Sequence, residues 1–109
     1  MARLEAGSER AELTDGVLAE TVWMLEKGLR VPRTQIARHL VSILSMAGVT
    51  YHGGKRRLLR AFGSYRLTNC DVVDCLLAAQ GNARRQKVYT FDAGDFRKLD
   101  CPWEEPRVR

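Results

Sequence analysis

Cysteine is scarce in this chain, and its arrangement excludes two classes of small protein. Cys70, Cys75 and Cys101 are odd in number and no two stand at CxxC spacing, so neither a disulfide framework nor a zinc site is expected. The three read as small apolar residues. Long hydrophobic runs are missing too, since none approaches the ~20 residues of a membrane-spanning helix. The opening MARLEAGSER is polar and lacks the apolar centre of a secretory signal, which makes a reducing, cytoplasmic location the expectation. Proline is rare: Pro32, Pro102 and Pro106 punctuate the chain without dividing it, and there is no repeat or low-complexity segment.

What is present matches an ordinary globular protein. The 109 residues suffice for one domain around a single core, with 45% hydrophobic and 28% charged residues. Lys and Arg number 18 against 13 Asp and Glu, a net charge of +5 that favours polyanionic partners without establishing one. The bases fall in two groups: Lys55, Arg56, Arg57, Arg60 and Arg66, then Arg84, Arg85 and Lys87. Taken alone, each group reads as a solvated face.

TDGVLAETVWMLEKG predicts a helix over about residues 15 to 27, capped by Thr14 or Asp15 and ended by Gly28 in a left-handed conformation. TQIARHLVSILSMAG spaces Ile36, Leu40, Ile43, Leu44 and Ala47 at helical intervals, with Gly48 as the stop. VTYH, residues 49 to 52, predicts a short strand, Gly53 and Gly54 a turn, and KRRLLRAFGSYRL a basic helix. TNCDVVDCLLAAQ begins with cap-type residues and turns apolar, so a buried helix with an acidic start is expected. VYTF, residues 88 to 91, predicts a strand too apolar for a solvated edge. Helices between short strands imply an α/β sandwich with parallel strands, whose ligands collect at the carboxyl ends, where Asp92 follows Phe91.

Several acids stand in unexpected surroundings. Glu20 lies among Val17, Trp23 and Met24 at one-turn spacing, where a carboxylate is costly unless it reaches the surface, pairs with an Arg or binds a cation. Asp71 and Asp74 share a helix face; Asp71 complements the helix dipole, whereas Asp74 sits deeper in the apolar part. Asp92 can end the strand, Asp95 can cap the turn that follows, and Asp100 belongs on the surface. Glu20, Asp74 and Asp92 are expected to converge, and crowded carboxylates call for a divalent cation. Oxygen ligands select Mg²⁺ or Mn²⁺. His39 and His52 read as a helix-surface and a strand-end residue.

The succession LTDGVLAETVWMLE, NCDVVDCLLAAQ and VYTFDAGDFRKL resembles the PIN domain, a metal-dependent nuclease family that includes the toxins of VapBC toxin–antitoxin systems. The resemblance runs from about residue 10 to the end. It implies a three-layer α/β sandwich with a short parallel sheet and an endoribonuclease that hydrolyses RNA phosphodiesters with Mg²⁺ or Mn²⁺. Its metal ligands fall on Glu20, Asp74 and Asp92, with Asp71 and Asp95 as secondary acids and Asp92 favoured over Asp95 as the inner ligand. The bases from Lys55 to Arg66, with Arg84, Arg85 and Lys87, would hold the RNA backbone. Phe62 and Tyr65 are the only aromatics near the first basic group, so backbone grip is expected rather than base stacking. A VapB-like antitoxin and a second copy are the partners it implies.

The sequence departs from the family where a central strand ending in an aspartate, in a DTN-like motif, should precede Leu13. A single PIN-like domain over residues 1–109, incomplete at its N-terminus, is therefore expected. Its start is then internal or misassigned, the chain is a catalytically inactive remnant that binds protein or nucleic acid, or a second chain supplies the missing strand or acid. TFDAGDF also carries one residue more than a TFDxDF pattern.

Overall fold

The computed structural model describes residues 2–107. Among these, six α-helices and two pairs of short parallel strands make a mixed α/β structure that is mostly helical. Helix α1 (Ala2–Ala6) leads to β1 (Ala11–Leu13), which pairs in parallel with β2 (Val49–Tyr51), Ala11 opposite Val49 and Leu13 opposite Tyr51. Between them run α2 (Asp15–Trp23), a π-helical continuation over Met24–Gly28, and α3 (Arg33–Leu44). Helices α4 (Lys55–Leu67) and α5 (Val72–Arg84) follow. Then come β3 (Val88–Tyr89), α6 (Ala93–Phe96) and β4 (Trp103–Glu104), with β3 and β4 parallel.

Local chemistry explains the boundaries. Thr14 has extended backbone and its side chain accepts from the Val17 N–H, so α2 starts where the sequence predicts. Its end is different: the Leu29 N–H reaches back to the Met24 carbonyl, a widened turn, and the left-handed residue is Arg30 (φ 55°) rather than Gly28. Helix α3 buries Ile36, Ala37, Leu40 and Leu44 at the predicted spacing and ends at Ser45. Gly48 is needed for another reason. Its N–H donates to the Leu4 carbonyl at 2.7 Å and its carbonyl accepts from Ala11, and a Cβ there would stand 2.0 Å from the Glu9 carbonyl oxygen. The absence of a side chain is what lets the N-terminal segment lie against β2.

The core runs through Leu18, Ile36, Leu40, Leu58, Phe62, Tyr65, Cys75 and Leu76. Phe62 and Tyr65 meet edge to face, with ring centres 6.3 Å apart. Only four residues, 68–71, join α4 to α5, so the two pack as an antiparallel hairpin. Arg33 braces this hairpin. It donates to the Tyr65 carbonyl (2.8 and 3.1 Å), to the Cys70 carbonyl and to Glu26 Oε1 (2.8 Å), and its guanidinium lies 3.7 Å from the Tyr65 ring centre.

The sheet is where expectation and structure part. The inner strand expected over 88–91 is two residues long, and Tyr89 and Phe91 are 60% and 65% exposed. Val88 and Thr90 donate to the carbonyls of Pro102 and Glu104, so the N–H and C=O of Tyr89 face the opposite edge, where no strand pairs among the described residues. Glu12 is placed the same way in β1, between Ala11, which donates to Gly48, and Leu13. Two separate two-stranded sheets therefore stand where one short parallel sheet was expected. The radius of gyration, 14.9 Å, exceeds the ~13 Å that scaling gives for this length. Among the described residues no helix is long and apolar enough to cross a membrane.

Candidate functional site

Three aspartates converge at the start of α5 and the turn after β3. Asp74, Asp92 and Asp95 each offer a carboxylate oxygen, and these atoms lie within 4.8 Å of one another. Backbone donors hold the group. Asp71 is the N-cap of α5, its carboxylate accepting from the Val73 N–H (2.8 Å), while its own N–H donates to Asp95 Oδ2 (2.9 Å). Asp92 caps α6 by accepting from the Asp95 N–H (3.2 Å), and the Asp92 N–H donates to Thr90 Oγ1 (3.0 Å). Thus Asp95 and Asp92 are each tied through one oxygen, while Asp74, half-buried in the first turn of α5, faces them both.

Burial pushes the Asp74 carboxyl up to about 7, helped by hydrogen bonding with Asp92 and Asp95 and by their negative charge. A divalent cation resolves such crowding. Oxygen ligands at about 2.0–2.6 Å from Mg²⁺ or Ca²⁺-sized ions can be drawn from carboxylates at this separation, and the all-oxygen donor set suits a hard cation. The residues therefore fit such an ion on the chemistry of their donors.

Glu20 does not join them. Helix α2 buries Leu18 and Val22, one turn apart, and Glu20, two residues from each, is carried to the outer side. Its apolar neighbours Val17, Trp23 and Met24 are themselves 54%, 65% and 55% exposed, so the surroundings that would make its charge costly are solvated. Glu20 lines a cleft of about 580 Å³ beside the aspartates, with Trp23, Lys27 and Asp71. Asp92 and Asp95 both belong to the group, and Asp95 is the more enclosed. Asp71 adjoins it through the backbone. Asp15 is held elsewhere, accepting from the Tyr51 hydroxyl, whose pKa burial and this contact push up to about 12.

The bases are spread along the hairpin. Arg56, Arg60 and Arg66 are exposed on α4; Lys55 donates to the Met46 carbonyl (3.0 Å), and Arg57 stands 5.9 Å from the Tyr51 ring. Arg84 and Arg85 are exposed at the end of α5, and Lys87 lies 4.0 Å from Glu104. Arg84 is ten residues from Asp74, about 15 Å along the helix axis. In an antiparallel hairpin Lys55–Arg57 share that far end, and Arg66 alone of α4's bases lies toward the aspartates. Phe62 and Tyr65 are buried in the core, so neither can stack a base.

Sequence reasoning missed the cation next to the acids. Lys98, three residues after Asp95, donates to Asn69 Oδ1 (2.6 Å), two residues before Asp71. The run DFRKL held the signal in its two adjacent bases, Arg97 and Lys98. Fold and site together define a small α/β protein with a carboxylate cluster beside a basic helical hairpin. No protein-family model matches the chain, and no curated protein matches it.

Proposed function

We propose that this chain is a metal-dependent endoribonuclease of PIN type, similar to VapC toxins, that hydrolyses RNA phosphodiesters with carboxylate-bound Mg²⁺ or Mn²⁺. The convergence of Asp74, Asp92 and Asp95 is the observation that supports it. When bound, the cation stabilises charge on the phosphoryl group and lowers the pKa of water. The three aspartates would hold it, while the Asp71 N–H and the Thr90 hydroxyl fix their orientation. Lys98, next to the acids, would exchange Asn69 for the scissile phosphate, and Lys55, Arg56, Arg57, Arg60, Arg66, Arg84, Arg85 and Lys87 would hold the backbone leading away from it. An RNA cleavage assay with Mn²⁺ or Mg²⁺ tests the reading: cleavage that Asp74→Asn leaves unchanged would refute the site.

One observation favours a second reading. The open edges at Glu12 and Tyr89 leave the two half-sheets incomplete, and two-stranded parallel sheets are weak alone. In that reading this chain is an inactive PIN remnant that binds protein or nucleic acid, or becomes active when another chain adds a strand and a fourth acid. A VapB-like antitoxin or a second copy is the partner that the family resemblance suggests. Cleavage by this chain alone would set the second reading aside.

A further inference from the structure

Charge is segregated along this chain. No Asp or Glu occurs between Glu26 and Asp71, while that stretch carries nine of the 18 Lys and Arg: Lys27, Arg30, Arg33 and Arg38, and the five on α4. Helices α3 and α4 are built from it, so their shared outer surface carries no carboxylate of its own. Arg38, Arg60 and Arg66 form no ion pair among the described residues.

Between α3 and α4 runs a groove of about 330 Å³. Ala37, Phe62 and Gly63 form its floor, Val41 and Leu59 its apolar walls, and Arg38 and Arg66 its charged rim. Val41 is 40% and Leu59 44% exposed, which leaves apolar surface uncovered. Gly63 stands in the middle of a 13-residue helix, where glycine weakens the element, yet a Cβ there would meet nothing within 4 Å. No packing inside the chain calls for it. Leu59, Gly63 and Leu67, each one turn apart, leave a flat strip between two exposed leucines.

We propose that the α3–α4 groove docks an amphipathic helix of a partner protein, one that carries carboxylates on either side of its apolar stripe. The unpaired guanidinium groups select the acidic residues, and the apolar floor selects a helix. A nucleic-acid backbone has nothing to bury against Val41 and Leu59, and no aromatic face is open in the groove to stack a base. The inference does not rest on the nuclease reading, with which it shares only Arg66.

The test is a selection. A displayed library of 18-residue helical peptides with randomised surface positions is panned on the full chain. Winners are measured by fluorescence anisotropy against the chain, against Arg38→Glu/Arg66→Glu and against Leu59→Ser, all at exposed positions. The expected consensus is Asp or Glu flanking an i, i+3/i+4, i+7 apolar stripe, with affinity at least ~10-fold weaker in both variants. Reversing the peptide acids to Lys should restore binding to Arg38→Glu/Arg66→Glu. The proposal is overturned if no peptide is recovered, if winners lack acids, or if the variants leave affinity unchanged. It is equally overturned if a 20-nucleotide oligouridine binds more tightly than any peptide and loses affinity in Leu59→Ser, or if these variants abolish self-association.

Discussion

Replacing Asp74 with Asn should make the protein more stable, by an amount that grows from nothing near pH 4 to its full value above about pH 7. The folded carboxyl holds its proton to about 7, against an ordinary value of 3.8, because burial and the charges of Asp92 and Asp95 oppose ionisation. A group that binds its proton more tightly folded than unfolded stabilises the fold below the unfolded value. That contribution is lost as pH rises from about 4 to about 7. Taken whole, the shift corresponds to about 4 kcal/mol, a ceiling; Asp74 is only half-buried, and solvent screening reduces the figure to about 1–2 kcal/mol. Asn is close to the shape of a protonated Asp, so the variant should match the parent near pH 4 and exceed it at pH 8 by that amount. The melting temperature would rise by roughly 5–10 °C for a chain of this size. Thermal unfolding followed by circular dichroism at both pH values reads the difference directly. Added Mn²⁺ should stabilise the parent by about 1.4 kcal/mol at ten times its dissociation constant, and Asp74→Asn much less. Equal stability at pH 8, or an equal gain at pH 4, would refute the carboxylate crowding.

Further outcomes are expected at Arg33, at two glycines and at two acids. Arg33→Ala should cost about 3 kcal/mol in urea unfolding, because it removes the donor to the Tyr65 and Cys70 carbonyls and strands Glu26. Arg33→Lys should recover little, since a point charge cannot serve three acceptors and a ring at once. Gly48→Ala should destabilise by about 2–3 kcal/mol through collision with the Glu9 and Leu4 carbonyls, whereas Gly63→Ala should stabilise by about 0.5–1 kcal/mol, both by chemical denaturation. In RNA cleavage, Asp95→Asn should lose at least ~100-fold while Glu20→Gln changes the rate by roughly threefold or less, because only Asp95 shares the cluster.

Helical periodicity carried much of the fold in the sequence. Ile36, Leu40 and Leu44 repeat at one-turn intervals, and the cap at Thr14 stands at a helix start, so α2, α3, α4 and α5 could be read locally. Strand β1 could not, because three residues, AEL, are too short to show a period and depend on β2 and Gly48 for their partners. The same limit applies to VYTF: an apolar run signals burial only if neighbours cover it, and among the described residues nothing pairs beyond Tyr89. Asp74 and Asp92 were legible as a pair from their place at a helix start and a strand end. Glu20 was not, since its burial depended on which face of α2 turned inward, and Leu18 and Val22 decided that.

Why the aspartates stay together in a chain with bases to spare is a question of frame. A carboxylate free to rotate would turn toward water or the nearest cation, and Asp92 is exposed enough to do so. Each of its alternatives is pre-empted. Asp92 is committed to the Asp95 N–H, and Asp95 to the Asp71 N–H. Asp71 in turn begins α5, one residue after Cys70, whose carbonyl Arg33 grips while it also holds Tyr65 at the end of α4. The strongest cation of the region is thus spent on two carbonyls and Glu26, behind the aspartates rather than among them. Lys98, the other nearby cation, is engaged by Asn69. The frame keeps Arg33 on the Tyr65 and Cys70 carbonyls and Glu26, and Lys98 on Asn69, and leaves three carboxylates facing one another, an arrangement that costs stability in proportion to their charge. Such a cost is withdrawn by a proton on Asp74 or by a divalent ion. That choice is what the pH and Mn²⁺ dependence of unfolding should reveal.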